Sequence, residues 1–116
     1  MLNFNLRRIL EMRGVDKPFS YLVDRGFYRT VASKLVNHKI VNIKISHIER
    51  LCRVLNCTPN DLFEWQPKEN EMLGANHPLN TLIREKSAAD FVRLYKEIPL
   101  DKLDKVEEFI AQLKNE

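Results

Sequence analysis

The stretch that decides the fold runs from Phe19 to Asn37 and reads FSYLVDRGFYRTVASKLVN. Apolar residues recur in it at helical spacing, both before and after Gly26. Pro18 suits the first turn of the earlier helix, and a glycine just past its end suits the left-handed conformation that terminates many helices. The stretch therefore predicts two short helices separated by a tight turn.

The second of these helices has two chemically different faces. Val31, Ala32 and Leu35 lie on one side and are apolar, so that side would pack on the rest of a domain. The opposite side is polar, contains no acid and carries two positive charges. Such a face can enter the major groove of DNA, where each base pair presents its own pattern of donors and acceptors. The residues predicted to contact bases are Tyr28, Arg29, Thr30, Ser33, Lys34 and Asn37.

The segment resembles the DNA-binding domain of lambda-repressor-like (Xre-type) transcriptional regulators. Gly26 stands at the turn glycine of that family, and Phe27 stands at the apolar position after it. Ala32 and Leu35 occupy the two core positions of the recognition helix. The resemblance covers residues 4–65 and implies a helix-turn-helix protein that binds double-stranded DNA and is not an enzyme.

Further helices on either side complete the predicted domain. Residues 6–13 carry an apolar stripe before the quoted stretch, and Ser46 begins a Ser-His-Ile-Glu capping box after it. The helix behind this box is predicted to end at Asn56, a plausible left-handed residue. Residues 58–62 then start with a hydroxyl, a proline and an acid in the first turn, which is typical of one more short helix. Residues 1–65 are therefore predicted to form an all-α, five-helix, lambda-repressor-like domain.

The remaining chain has a different organisation. Residues 66–86 show little periodicity and contain proline, glycine and asparagine, which predicts a linker. Residues 87–116 predict a C-terminal arm of two helices, divided at Pro99. The last helix has the heptad spacing of a helix that pairs with another, either with its neighbour in the arm or across a dimer axis, and we expect both together. This dimer or partner seam consists of Leu103, Val106, Ile110 and Leu113.

Charge is distributed unevenly over the chain. Residues 1–65 contain eleven Lys or Arg and six Asp or Glu, a net charge of +5, whereas residues 66–116 contain eight and ten, a net charge of −2. A basic head favours a polyanionic partner, although many solvated surfaces have a similar excess. The residues predicted to contact DNA phosphates are Arg7, Arg8, Ser20, Arg25, Lys39 and Lys44.

Composition excludes several other classes of protein. The chain has 116 residues, and no apolar run approaches the ~18 residues that span a bilayer. Cys52 and Cys57 lack the paired spacing of a zinc site or a disulfide framework, and three glycines are few for a phosphate-binding loop. We therefore expect no cofactor, no metal and no membrane contact, and a location in the reducing cytoplasm.

Taken together, the sequence predicts a transcriptional regulator, most simply a repressor. A homodimer would set two recognition helices ~34 Å apart and read an inverted repeat. The alternative from another class is a protein-interaction module, such as the antitoxin half of a toxin–antitoxin pair, whose arm binds a partner protein. An enzyme is the weakest alternative, because the sequence contains no nucleophile–base pair or metal set.

Overall fold

A computed structural model describes residues 1–37, 40, 42–84 and 88–116. The chain forms two compact units, Met1–Glu85 and Lys86–Glu116. The fold is mostly helical, with 62% of the described residues in helices. The α-helices of the first unit are α1 (Leu6–Met12), α2 (Pro18–Asp24), α3 (Arg29–Val36) and α4 (Ile45–Leu55), and those of the second are α5 (Ala88–Lys96) and α6 (Leu103–Lys114).

Helices α2 and α3 confirm the predicted pair around a tight turn. Pro18 is the first residue of α2, and Gly26 has a φ of 96°, a value that glycine adopts without strain. The N–H groups of Gly26 and Phe27 donate to the carbonyls of Val23 and Leu22, so the last turn of α2 is closed by the residues that lead to α3. Leu22 is completely buried and forms part of the core.

One apolar cluster holds the first unit together. It draws on every α-helix of this unit and on a short 3-10 helix, Pro59–Leu62. Burial of large aliphatic side chains is the main favourable contribution to folding in a domain of this size. The completely or almost completely buried members are Leu6, Leu22, Ala32, Leu35, Leu51, Leu55 and Leu62.

The end of α4 and the 3-10 helix follow the predicted signals closely. Asn56 is left-handed, with φ 51° and ψ 58°, and it terminates α4. Thr58 and Asp61 form a capping box in which the Asp61 carboxylate accepts from the Thr58 N–H at 2.9 Å. The predicted capping box at Ser46 is wrong, because α4 already begins at Ile45 and Ser46 lies inside its first turn.

A two-stranded antiparallel sheet corrects the prediction of an entirely α-helical fold. Strand β1 (Leu2–Phe4) pairs with β2 (Phe63–Trp65), in the register that places Asn3 opposite Glu64. The rings of Phe4 and Phe63 meet edge to face with 5.7 Å between centroids. The start of the chain is thereby attached to the residues that follow the 3-10 helix.

Residues 66–84, the described part of the predicted 66–86 linker, contain local structure and lie within the first unit. They include two 3-10 segments, Glu69–Glu71 and Pro78–Leu82. The guanidinium of Arg84 donates to the backbone carbonyls of Phe63, at 3.0 and 3.3 Å, and of Asn60. Arg84 therefore fastens the end of this segment to the 3-10 helix and β2.

The second unit consists of α5, a 3-10 turn at Leu100–Lys102, and α6. Only Ile98, Leu103 and Val106 among its large aliphatic side chains are half-buried. The other large apolar side chains are exposed, namely Phe91, Val92, Leu94, Tyr95, Leu100, Phe109, Ile110 and Leu113. Within the described part of the chain, no helix is both long enough and apolar enough to cross a membrane.

Candidate nucleic-acid interface

Helix α3 separates its apolar and polar residues onto opposite faces, as predicted. Ala32 and Leu35 are 0% and 1% exposed and belong to the core, and Val31 and Val36 pack partly against it. On the other face Arg29, Thr30 and Lys34 are exposed. The inward face has no polar residue and the outward face no apolar one, so the helix presents a hydrogen-bonding surface to its surroundings.

The cations of this outward face are available for an external partner. Among the residues that the structure describes, neither Arg29 nor Lys34 forms an ion pair. Asn37 donates its side-chain N–H to the half-buried Ser33 hydroxyl at 3.2 Å, which orients both polar groups one turn apart. The contact of this face with bases stays a prediction.

The start of α3 is marked by an exposed aromatic residue. Tyr28 is extended, with φ −63° and ψ 148°, its side chain makes no capping bond, and it is 81% exposed. Its backbone carbonyl accepts the N–H of Ala32 at 2.9 Å. The preceding residue, Phe27, is buried in the core, so a buried and an exposed aromatic side chain are neighbours in the sequence.

Arg50 of α4 contacts the turn before α3, a contact that the sequence analysis did not predict. Its guanidinium donates to the backbone carbonyl of Gly26 at 2.6 Å, although the two residues are separated by 24 positions. The cleft at this place measures about 120 Å³ and is also lined by Tyr28, Ser46 and His47. An isolated arginine on an exposed helix position has no local signal that would have identified this contact.

Four of the residues predicted to contact phosphates are exposed in the first unit. Ser20 and Lys44 have exposed side chains, and Lys44 immediately precedes α4. Arg7 lies 3.6 Å from Glu11, an exposed pair that contributes little. Arg25 lies over the ring of Tyr21 at 3.4 Å, which holds its guanidinium in place. Lys39 lies outside the described residues.

Arg8 has a structural role that the phosphate prediction did not anticipate. Its guanidinium is partly buried and donates to the backbone carbonyl of Asp61 at 2.7 Å, which joins α1 to the 3-10 helix. Its Nε is buried with no hydrogen-bond partner. Burial and the nearby Arg84 guanidinium lower the pKa of Arg8. The side chain is therefore directed at the protein's own backbone.

The remaining shifted groups are structural too. Hydrogen bonds from the backbone N–H and the hydroxyl of Thr58 lower the pKa of Asp61 and keep its carboxylate ionised. Burial and the neighbouring Cys52 thiol raise the pKa of Cys57 to about 11. A thiol with so high a pKa is a poor nucleophile at neutral pH.

The four seam residues lie on α6 in the second unit and differ in exposure. Leu103 and Val106, near its start, are half-buried, whereas Ile110 and Leu113 are exposed. Phe109 is 61% exposed and was not predicted as part of the seam. The helix therefore leaves most of its apolar side uncovered within its own unit, and its pairing stays a prediction.

Comparison with protein families shows that residues 5–68 match the model of the Cro/C1-type HTH DNA-binding domain. This range covers more than half of the chain and includes α1 to α4, the 3-10 helix and β2. The matched family is one of non-enzymatic DNA-binding regulators. Neither the comparison with curated proteins nor the comparison with solved structures returned a match.

Proposed function

Since this chain belongs to the family of Cro/C1-type helix-turn-helix DNA-binding domains, we propose that it is a sequence-specific transcriptional regulator that inserts α3 into the major groove. The observation that carries the proposal is the two-faced character of α3. Ala32 and Leu35 fix the helix on the core while Arg29 and Lys34 remain exposed and without an ion pair among the described residues.

The outward residues of α3 differ in what they can read. Arg29 can form two parallel hydrogen bonds with guanine, the strongest discrimination available to this helix. Asn37 suits adenine, and Thr30 and Ser33 suit several base edges. Tyr28 and Lys34 complete the proposed set of base-contacting residues, Tyr28 from the exposed position at the start of the helix.

Flanking contacts with phosphates would fix the register of α3 without reading sequence. Arg7, Ser20, Arg25 and Lys44 are proposed for this role because their side chains are exposed in the first unit. Lys39 keeps its predicted role. Arg8 is left out, because its guanidinium is engaged with the Asp61 carbonyl and is partly buried.

A two-fold dimer through the second unit would let the protein read an inverted repeat. The seam residues Leu103, Val106, Ile110 and Leu113 share one side of α6, and covering that side with a second copy would bury apolar surface that is now in contact with water. Bound at an operator in the cytoplasm, such a dimer would repress by blocking polymerase.

Selection of bound sequences from a random DNA pool tests the proposal directly. We expect enrichment of one motif, and an inverted repeat if the dimer forms. A variant that removes a positive charge from α3, such as Arg29→Ala, needs a control with the same change in charge. Arg93→Ala is that control, because it removes one positive charge from the second unit and should leave the motif unchanged. A pool that shows no enrichment after several rounds would contradict sequence-specific binding.

The alternative function is that of a protein-interaction module, such as an antitoxin. The exposed apolar side chains of α5 and α6 favour it, because they would suit a partner protein as well as a second copy. Light scattering on the purified chain separates the two cases. A stable homodimer supports the regulator, whereas a monomer that co-purifies at equal stoichiometry with a second small protein from its host supports the interaction module.

A further inference from the structure

The backbone carbonyl of Gly26 lies in the turn before α3. Backbone hydrogen bonds across the turn use the N–H groups of Arg25, Gly26 and Phe27, but among the described residues no backbone N–H donates to the Gly26 carbonyl. Its donor is the guanidinium of Arg50, at 2.6 Å, a short and charge-assisted bond. The turn is therefore completed by a side chain of α4.

The same side chain also packs on the aromatic anchor of the turn. The Arg50 Cζ lies 5.7 Å from the centroid of the Phe27 ring, and the ring of His47, from the preceding turn of α4, lies 6.1 Å from it. Phe27 is therefore in contact with two side chains of α4. One guanidinium therefore holds two consecutive residues of the turn, Gly26 through its carbonyl and Phe27 through its ring.

Besides permitting the positive φ, the absence of a β-carbon at position 26 leaves room for the Arg50 guanidinium. A β-carbon there would lie 2.5 Å from the Nη1 atom of Arg50, so the guanidinium would have to move away. The guanidinium thus occupies the place where any other residue would carry its side chain.

The start of α3 has few other attachments. Tyr28 makes no side-chain capping bond, and the first residues of the helix that pack on the core are Val31 and Ala32, about one turn further on. The direction in which α3 leaves the turn is therefore set at its start by Phe27 and by the contact between Arg50 and Gly26. A side chain that fixes this direction would also fix where Arg29 and Thr30 lie in a groove.

We propose that Arg50 is a positioning residue for DNA recognition, which orients the start of α3 through the Gly26 carbonyl and the Phe27 ring. The inference rests on the proposed function for its effect on DNA, but the contact itself can be tested without DNA. Misplacement of α3 weakens base contacts, which depend on geometry, more than phosphate contacts, which depend mainly on charge. Loss of Arg50 should therefore reduce discrimination between sequences.

The test compares Arg50→Met and Arg50→Lys with Arg53→Met. Methionine removes the donors but keeps an unbranched apolar stem, and Arg53 is a matched control on the same helix, exposed and paired only with Glu49 in the described structure. Affinities are measured by fluorescence anisotropy on a duplex carrying the selected motif and on a scrambled duplex, over a range of salt concentrations.

We expect Arg50→Met to lose about ten-fold in affinity for the selected motif and less than about two-fold for the scrambled duplex, with an unchanged salt slope. Arg50→Lys should recover part of the loss, since an ammonium can donate to the Gly26 carbonyl but lacks the planar guanidinium that lies over the Phe27 ring. Equal losses on both duplexes, with a salt slope lower by about one, would mean a direct phosphate contact and overturn the proposal.

Hydrogen exchange on the free protein gives the readout that needs no DNA. In Arg50→Met the amide of Ala32, which donates to Tyr28, should exchange about ten-fold faster, while the amides in the middle of α4 keep their rates. Unchanged exchange at Ala32 would refute the positioning role even if the wild-type chain selects a motif. Failure of the wild-type chain to select any motif would instead count against the proposed function.

Discussion

The two units are built from helices of similar amphipathic character, yet they differ in how far their apolar side chains are buried. The first buries a set of leucines almost completely, whereas α5 and α6 leave Phe91, Tyr95 and Phe109 about half or more exposed. An apolar helix face therefore does not by itself reveal which surface will bury it. In the first unit other residues of the same chain bury these faces. In the second unit we propose that a second copy of the chain buries them.

Val106→Asp should produce the largest effect, because it changes both copies of a dimer at once. An unpaired carboxylate in each seam costs about 2–3 kcal/mol per copy, which together weaken the dimer Kd by about 10³- to 10⁴-fold. Light scattering should show the mass falling to that of one chain. Leu100→Asp is the control, since Leu100 is 84% exposed and lies outside the seam. An unchanged mass in Val106→Asp would mean that the seam is covered within one chain.

Leu35→Ala should destabilise the first unit by about 2–5 kcal/mol, because it leaves a cavity beside α3 in a core that cannot fully relax. Chemical denaturation followed by Trp65 fluorescence measures the loss. The comparison is Leu113→Ala in the second unit, the same chemical change at an exposed position. In the monomer we expect it to lower stability by less than about 1 kcal/mol. Equal losses would contradict the contrast between the units.

Arg29→Ala should weaken binding to the selected motif by about 1–3 kcal/mol and relax the preference for one base. The reason is the loss of the bidentate contact that the Arg29 guanidinium can make with guanine. Mobility shifts on single-base variants of the motif measure it, with Arg93→Ala as the control in the other unit. Retention of full specificity would remove Arg29 from the proposed set.

Asp61→Asn should cost about 0.5–2 kcal/mol of stability through loss of the capping box. Because the pKa of Asp61 is lowered on folding, its contribution is present above the ordinary carboxyl pKa of ~3.9 and is lost as the pH falls through the lower, folded value. The wild type should therefore lose more stability below pH ~4 than the variant does. Parallel denaturation curves from pH 6 to pH 2 would detect this, and identical pH profiles would refute it.

Lys44→Ala should have the smallest effect, a similar weakening on all DNA sequences and a salt slope lower by about one. The exposed lysine makes no described ion pair, so the fold of the first unit should not change. A loss restricted to the selected motif would show that Lys44 takes part in base readout.

The parts of the fold that the sequence predicted are those fixed by neighbours along the chain. The turn at Gly26, the left-handed end at Asn56 and the start of a short helix at Thr58 each depend on a few consecutive residues, and all three were confirmed. The two faces of α3 follow from helical spacing alone. Ser46 was wrongly predicted to cap α4, because in the sequence a capping pattern one residue inside a helix looks the same as one at the start of the helix.

The parts that the sequence did not predict join distant positions. Strands of three residues have no measurable alternation, so the pairing of Leu2–Phe4 with Phe63–Trp65 carries no local signal. The contacts of Arg8 with Asp61 and of Arg50 with Gly26 were missed for the same reason, since an arginine pattern does not reveal which carbonyl a guanidinium reaches. These long-range polar contacts determine which cations stay free for DNA.

The sheet also has a consequence for the order of events during synthesis. Strand β1 leaves the ribosome before α1 to α4 and the 3-10 helix, and its partner β2 follows only after them. At 5–20 residues per second, the nascent strand waits about 3–12 s for the segment that completes it. During that interval helices can form locally while the sheet stays open at the edge that pairs with β1. The sheet of the first unit is thus complete only when Trp65 has emerged.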